Sequence, residues 1–102
     1  PMHYNLMIHG SGLSLLVDGQ KKAYGFYVNR VVEASSENEA KAIGLARLKE
    51  EVLVKYGEAA SKLFLEVEEV AEVDPARGLD KPEGFLLFDE EESQDKPWWK
   101  FW

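Results

Sequence analysis

Cysteine is absent from the 102 residues of this chain, and histidine occurs only twice. The lack of cysteine excludes a disulfide framework and a thiolate metal site, and it fits a reducing cytosol. No apolar run approaches the roughly 18 residues that a membrane-spanning helix needs. The first residues lack a basic stretch followed by an apolar one, so we expect no secretory signal. These absences together favour a cytoplasmic domain without a membrane partner.

Acidic residues outnumber basic ones, and the excess lies in the second half of the chain. Residues 58–95 carry three lysines or arginines and thirteen acidic residues, whereas residues 1–57 carry seven and six. Nucleic acids and anionic membranes are bound by clustered lysine and arginine, so we expect neither as a partner. In the simpler interpretation the negative charge keeps the protein soluble. In the alternative interpretation it forms an acidic surface that binds a basic partner.

The first third of the chain predicts a β-hairpin. Residues 4–17 follow a strand pattern that Gly10-Ser11-Gly12 interrupts, which indicates a bulge, a bend or a loop. Asp18-Gly19 is a turn signal, because these residues accept positive φ at little cost. Residues 25–34 are rich in aromatic and β-branched side chains and form the second strand.

A helix is predicted from Glu37 to about Tyr56. Ser36 and Glu39 have the spacing of a capping box, in which the serine hydroxyl accepts from the glutamate amide and the carboxylate reaches back. Gly57 is suited to end the helix. Gly44 lowers the stability of a helix by roughly 1 kcal/mol relative to alanine. Because of this cost we expect glycine at this position to serve a packing purpose, namely close approach of the helix to the sheet. The predicted buried stripe comprises Ala40, Ile43, Gly44, Leu45, Leu48, Val52 and Tyr56.

Two further strands follow the helix. Residues 62–73 alternate in polarity until Glu68-Glu69, where the slip in the pattern predicts a bulge. Residues 84–89 form the fourth strand. The expected fold is a two-layer α+β domain of order β-β-α-β-β, related to ferredoxin-like folds, with a four-stranded, mainly antiparallel sheet and one helix on one face. The domain covers residues 1–88, an acidic linker covers 89–96, and an aromatic tail covers 97–102.

One helix cannot cover both faces of a four-stranded sheet, and the chain ends in an unusual concentration of aromatic side chains. All three tryptophans lie in the last five residues, within Trp98-Trp99-Lys100-Phe101-Trp102. Such side chains dominate the energetics of cores and interfaces. We therefore expect the tail to dock on its own sheet, on that of a second copy or on another protein. Tyr27, Phe64 and Phe88 are the predicted receiving surface.

The titratable residues suggest few reactive sites. His3 and His9 are separated by roughly 20 Å along a strand, so they cannot share a metal ion, and each is interpreted as an ordinary surface histidine. Arg30 shares its strand face with apolar residues. If that face packs against the helix, Arg30 is half-buried and needs a carboxylate partner, for which Glu66 or Glu68 could serve. The alternative for Arg30 is an anion clamp that uses its guanidinium fork.

No catalytic or cofactor motif is present, so neither a metal nor another cofactor is expected. Gly10-Ser11-Gly12 lacks the lysine of a phosphate-binding loop, and the next segment has a strand pattern. The acidic run at residues 89–92 lacks the glycine and the alternating ligands of a calcium-binding loop. Whether the protein is an enzyme is left open by these patterns, which lean against it.

A resemblance accompanies these patterns. Residues 25–34, running into the helix start at residues 36–40, together with the Gly84-Phe85 strand and the Trp-rich end, resemble small uncharacterised bacterial proteins of the kind found among mobile integron gene cassettes. The resemblance implies a bacterial, cytoplasmic accessory protein, and it carries over no functional residues.

The expected function is that of a non-catalytic interaction module, a homodimer anchored by Trp98, Trp99, Phe101 and Trp102 of the tail. The alternative is a small-molecule binding protein, in which an apolar pocket holds an aromatic or anionic ligand and Arg30 fixes the anionic group. The two hypotheses differ in what stabilises the protein, a second copy in the first and a ligand in the second.

Overall fold

One long helix packs on one face of a four-stranded antiparallel sheet. A computed structural model of the protein describes residues 2–74 and 85–90. The elements are β1 (Met2–Val17), β2 (Gln20–Ala34), α1 (Glu37–Tyr56), a short 3-10 helix (Gly57–Ala60), β3 (Phe64–Val73) and β4 (Phe85–Asp89). The strand order is β3-β1-β2-β4, and each neighbouring pair is antiparallel, which confirms the predicted two-layer α+β fold.

The hairpin of β1 and β2 is longer than its sequence pattern predicts. Val17 pairs directly with Gln20 across the turn at Asp18 and Gly19, whose φ angles are 51° and 79°. The strand pairing therefore begins at once after the turn, five residues before the predicted start at residue 25. Positive φ at both central residues gives a turn whose twist matches that of the strands, so the chain stays paired on either side. The Gly10–Gly12 interruption is a register shift within β1.

The helix begins and ends as its sequence predicts. The Ser36 side chain accepts a hydrogen bond from the Glu39 amide, and Gly57 follows the last helical residue with a φ of 57°. The second half of the capping box differs from the prediction. The Glu39 carboxylate accepts hydrogen bonds from the amide and the hydroxyl of Ser35, at 3.3 Å and 2.8 Å. The carboxylate thus reaches one residue further back than the usual motif.

The core lies between α1 and the sheet, which the helix contacts through β1, β2 and β3. Gly44 is buried where α1 approaches Leu6, and a Cβ added there would lie 2.2 Å from the Leu6 Cδ1 atom. This confirms the predicted close approach of helix and sheet. The buried apolar residues are Tyr4, Leu6, Ile8, Leu13, Phe26, Val28, Val32, Ala34, Ala40, Leu48, Val52 and Ala60.

The segments after the helix follow the predicted pattern within two residues. The predicted bulge in β3 is confirmed, because Met7 pairs with Glu69 and Ile8 with Val67, which leaves Glu68 as the extra residue. Asp89, the first residue of the predicted acidic linker, is the last residue of β4. The rest of that linker beyond residue 90 and the aromatic tail lie outside the described residues. Within the described part of the chain, no helix has the length and apolar character needed to cross a membrane.

Candidate functional site

The face of the sheet opposite α1 is the candidate functional surface, and we call it the open face. Along β1 the side chains alternate between buried and half-buried, and the half-buried ones point away from the helix. Strand pairing places neighbours from the other three strands beside them. The open face comprises, in its central part, Asn5, Met7, His9, Tyr27, Asn29, Glu66, Glu68, Glu69 and Phe88.

Three rings, those of His9, Tyr27 and Phe88, form a contiguous group on the open face, and we call them the ring cluster. The ring centroids of His9 and Tyr27 are 4.9 Å apart, and those of Tyr27 and Phe88 are 5.6 Å apart. The His9 ring is nearly parallel to that of Phe88, at 5.9 Å and an angle of 5°. These separations are typical of favourable aromatic pairs. The cluster joins β1, β2 and β4 into one apolar surface.

Gly25 permits this arrangement. A Cβ added at Gly25 would lie 2.5 Å from the Cζ atom of Phe88 and 3.1 Å from the carbonyl oxygen of Gly10. The Phe88 ring therefore lies directly over the glycine of the neighbouring strand, with which it is paired. A side chain at position 25 would hold the ring away from Tyr27 and His9. The ring cluster thus depends on a glycine at this position.

Replacement of Gly25 by alanine should displace the Phe88 ring and destabilise the protein by about 1–3 kcal/mol, because the added methyl group overpacks the contact. The displacement is measurable as changed ring-proton chemical shifts of His9 and Tyr27. A chain that also carries Phe88→Ala serves as the control, since it removes the atoms that clash. If Gly25→Ala costs as much in that background, the contact with Phe88 is not the cause.

Two carboxylates border the ring cluster on the side of β3. Glu66 pairs with His9 across the strands, and Glu68, two residues further along β3, lies on the same face. Glu68 Oε1 lies 3.8 Å from His9 Nδ1. Burial raises the pKa of Tyr27 above its ordinary value, and the negative charge of Glu68 raises it further. The Tyr27 phenol therefore stays neutral and keeps its proton to donate.

His9, Glu66 and Glu68 also lie close enough to share an ion. One donor atom from each residue can be chosen so that all three lie within 4.8 Å of one another. His3 shows the contrasting arrangement at the far end of the same strand, where it faces one carboxylate, Glu33, at 3.8 Å. As predicted from their spacing, the two histidines do not meet.

Arg30 lies on the other face of the sheet. It pairs with Leu6, and its Nη2 donates to Glu51 Oε1 of α1 at 3.3 Å, while Nη1 donates to the Asn29 carbonyl at 3.0 Å. The expected carboxylate partner thus exists, but it comes from the helix. Glu66 and Glu68 were the wrong residues, because they point to the open face. Arg30 and the ring cluster are consequently separated by the sheet and cannot line one pocket.

The predicted receiving residues are only partly brought together. Tyr27 and Phe88 are in contact. Phe64 lies apart from the ring cluster at the start of β3, where it is 61% exposed and borders a shallow depression with Leu45 and Lys49 of the helix. The docking residues Trp98, Trp99, Phe101 and Trp102 lie outside the described residues.

His9 is the site residue that the sequence pattern undervalued. Its parity along β1, opposite to that of Leu6 and Ile8, places it on the open face. That parity could have been combined with the strand parities of Tyr27 and Glu66 to predict their proximity. The strand order, which brings these residues side by side, was not accessible from the pattern.

Fold and site together define a small α+β domain that presents a half-exposed aromatic surface edged by carboxylates. Comparison of the chain with protein-family models, with curated proteins and with solved structures finds no match.

Proposed function

We propose that the protein is a non-catalytic interaction module that forms a homodimer, in which the aromatic tail, residues 97–102, of each chain docks on the open face of the other. The observation that carries the proposal is the ring cluster of His9, Tyr27 and Phe88, which lies on the face of the sheet that α1 leaves uncovered. The proposal also assigns the protein to the bacterial cytoplasm, as the resemblance of residues 25–40 implies.

The ring cluster supports the proposal by its chemistry. Its rings offer flat apolar area together with polar edges, the His9 nitrogens and the Tyr27 hydroxyl. Tryptophan and phenylalanine pack favourably on such rings in tilted or offset geometry, and indole N–H groups find acceptors at polar edges. Docking of this kind would bury side chains that are now only half-buried.

Charge complementarity favours the tail of this chain as the occupant. Three glutamates of β3, namely Glu66, Glu68 and Glu69, lie on the open face beside the ring cluster. Residues 96–102 contain no acidic side chain, and Lys96 and Lys100 lie among or beside the aromatic residues. Opposite charges at the rim of an interface speed association and select the register of docking.

The course of the chain allows the tail to reach this face. Phe88 belongs to the ring cluster, and β4 ends one residue later at Asp89. The Gly12 amide donates to Glu90 Oε1 at 3.3 Å, which links the residue after β4 to β1. The six residues 91–96 can span up to about 20 Å when extended. The tail can therefore reach the open face of its own chain or that of an adjoining copy.

Exchange of tails between two copies gives a closed, symmetric dimer. Each copy would donate one tail and receive one. The same contacts would therefore form twice, and neither copy would keep an unoccupied docking surface. Docking within a single chain would bury the same groups without a second copy. Concentration dependence separates the two arrangements, since only the exchanged one dissociates on dilution.

Deletion of residues 97–102 should convert the dimer to a monomer and lower the melting temperature, because the open face would lose its cover. Light scattering measures the first effect and circular dichroism the second. An unchanged mass together with an unchanged melting temperature would overturn the proposal. A monomeric full-length chain that the deletion destabilises would retain docking of the tail and refute the dimer.

The tail also contains its own reporter for this experiment. All three tryptophans lie in residues 98–102, so tryptophan emission reports the environment of the tail alone. In the full-length chain, Tyr27→Ala and Phe88→Ala should shift the emission to the red, as the indoles become exposed to water. Val54→Ala is the matched control, because Val54 is an apolar residue of α1 that is 81% exposed on the other side of the domain.

A further inference from the structure

His9, Glu66 and Glu68 bring three metal-binding side chains to one point of the open face. We infer that these residues form a binding site for a divalent transition-metal ion of borderline hardness, with Zn²⁺ as the typical occupant. All three ligands belong to the part of the chain that the structure describes, and the site does not need the docked tail. It would add a metal ion to the rim of the surface on which the tail is proposed to dock.

The separations of the donor atoms suit a single ion. Two ligands of a tetrahedral zinc ion, each at about 2.0–2.1 Å from the metal, lie roughly 3.4 Å apart. His9 Nδ1 and Glu68 Oε1 are 3.8 Å apart, and the donor atoms of all three residues lie within 4.8 Å of one another. The side chain of Glu68 is 43% exposed and that of His9 is 26% exposed. Rotation of the exposed carboxylates therefore suffices to close the remaining gap.

Alternation along β3 places Glu66 and Glu68 on the same face of the sheet. The bulge comes directly after them. In a regular strand residue 70 would share that face as well, but Glu68 is the extra residue and Val70 pairs with Leu6 on the helix side. Bulges are common next to functional sites. Glu66 therefore pairs with His9 across the strands, and the Glu68 carboxylate lies 3.8 Å from His9 Nδ1.

The ring cluster fixes the remaining ligand. The His9 ring lies against Tyr27 at 4.9 Å and against Phe88 at 5.9 Å. Packing on both partners restricts the rotation of the imidazole, so less conformational entropy is lost when a metal ion binds. The ligands also belong to adjacent, hydrogen-bonded strands, which limits their relative movement. The His9 ligand is thus held in place before an ion arrives, and the two exposed carboxylates rotate to meet the ion.

The donor set determines which ions bind. One imidazole nitrogen and two carboxylate oxygens suit zinc, cobalt and nickel. Calcium requires six to eight oxygen ligands and magnesium retains most of its water, so three protein ligands of this type hold neither well. Three protein ligands also leave a coordination position open for water or for a group from a partner.

Titration of the full-length protein with zinc chloride in a calorimeter tests the inference. We expect one zinc ion per chain and no comparable binding of calcium chloride. His9→Gln, Glu66→Gln and Glu68→Gln should each weaken zinc binding by at least about tenfold, since loss of even an outer-shell partner costs that much. Cobalt added in place of zinc should give visible absorption bands that these three variants lose.

His3→Gln is the matched control, because His3 also faces a glutamate at 3.8 Å, whereas among the described residues the three-ligand cluster contains His9 and not His3. This variant should bind zinc as the parent does. Glu68→Gln guards against misfolding as the cause of lost binding, since the Glu68 side chain is 43% exposed and lies outside the core, and the folding of this variant can be checked by circular dichroism. Absence of zinc binding at about 1 mM, or equal losses in His3→Gln and His9→Gln, would overturn the inference.

The two proposals fail independently. A chain that lacks residues 97–102 retains all three metal ligands and should bind zinc with unchanged stoichiometry. A monomer that binds zinc would refute the dimer and support the metal site. A dimer that does not bind zinc would do the reverse.

Discussion

Replacement of Phe26 by alanine is expected to lower the free energy of unfolding by about 3–5 kcal/mol, because a large cavity would remain in the core. Phe26 is fully buried on the helix side of β2. Its ring lies over Gly10 of β1, where an added Cβ would be 2.2 Å from the ring. Gly10 has no side chain that could move into the space left by the ring. The cavity would therefore persist, and its full cost would be measured.

Urea unfolding followed by circular dichroism is the suitable measurement, because tryptophan emission reports only the tail. Phe64→Ala is the control for the loss of a phenyl ring, since Phe64 is 61% exposed. Its effect should remain within about 0.5 kcal/mol, as for most surface substitutions. Both variants must be compared at one protein concentration, because a dimer would couple stability to association. Equal effects of the two variants would contradict the assignment of Phe26 to the core.

The substitution Gly44→Leu is expected to lower the free energy of unfolding by about 1–3 kcal/mol. This loss is expected even though the helix propensity of leucine is better than that of glycine by nearly 1 kcal/mol. The reason is the contact between α1 and β1. A Cβ at position 44 would already lie 2.2 Å from the Leu6 Cδ1 atom and 3.5 Å from Val32 Cγ2. Leu6 is fully buried, so its side chain can shift only against other residues of the core. The helix would have to move away from the sheet.

A double-mutant cycle with Leu6→Ala identifies the clashing pair. Removal of the Leu6 side chain makes room for the new leucine, so the two substitutions together should cost less than the sum of their separate effects, by about 0.5–3 kcal/mol. Ala42→Leu is the control, because position 42 lies on the exposed side of the same helix. Additive effects of Gly44→Leu and Leu6→Ala would contradict the close approach.

Phe26→Ala and Gly44→Leu test the packing of the fold and leave the residues of the proposed site unchanged. Both act on the helix side of the sheet, and both weaken the packing that holds β1, β2 and α1 together. The residues of the ring cluster and of the inferred metal site lie on the opposite side of the same strands. Variants of the open face should therefore change docking or metal binding with smaller effects on folding than Phe26→Ala.

The helix was the element that the sequence predicted most completely. Its start at Ser36, its end before Gly57 and the close approach at Gly44 were all predicted from short-range patterns. These features depend on residues within a few positions of one another, where hydrogen-bond geometry and side-chain size act directly. The bulge at Glu68 could also be predicted from the sequence, because a slip in strand alternation shifts every later side chain to the other face.

The contact partners of individual side chains were harder to predict from the sequence. Arg30 was correctly assigned a carboxylate, yet its partner Glu51 comes from the helix and not from β3. The need for a counter-charge follows from the burial of one residue, whereas the choice among several glutamates follows from how the elements pack. Likewise, Tyr27 and Phe88 were predicted on one surface, but the place of His9 beside them was not.

Alternation, capping and turn chemistry were thus sufficient to predict the two-layer fold, because each depends on neighbours in the chain. Only the tertiary structure revealed the order β3-β1-β2-β4, and with it the convergence of His9, Tyr27, Glu66, Glu68 and Phe88 on one face. The physical reason is that the sheet brings together residues as distant in the chain as His9 and Phe88. Local patterns indicate which face a side chain occupies, and only the strand pairing determines what lies beside it.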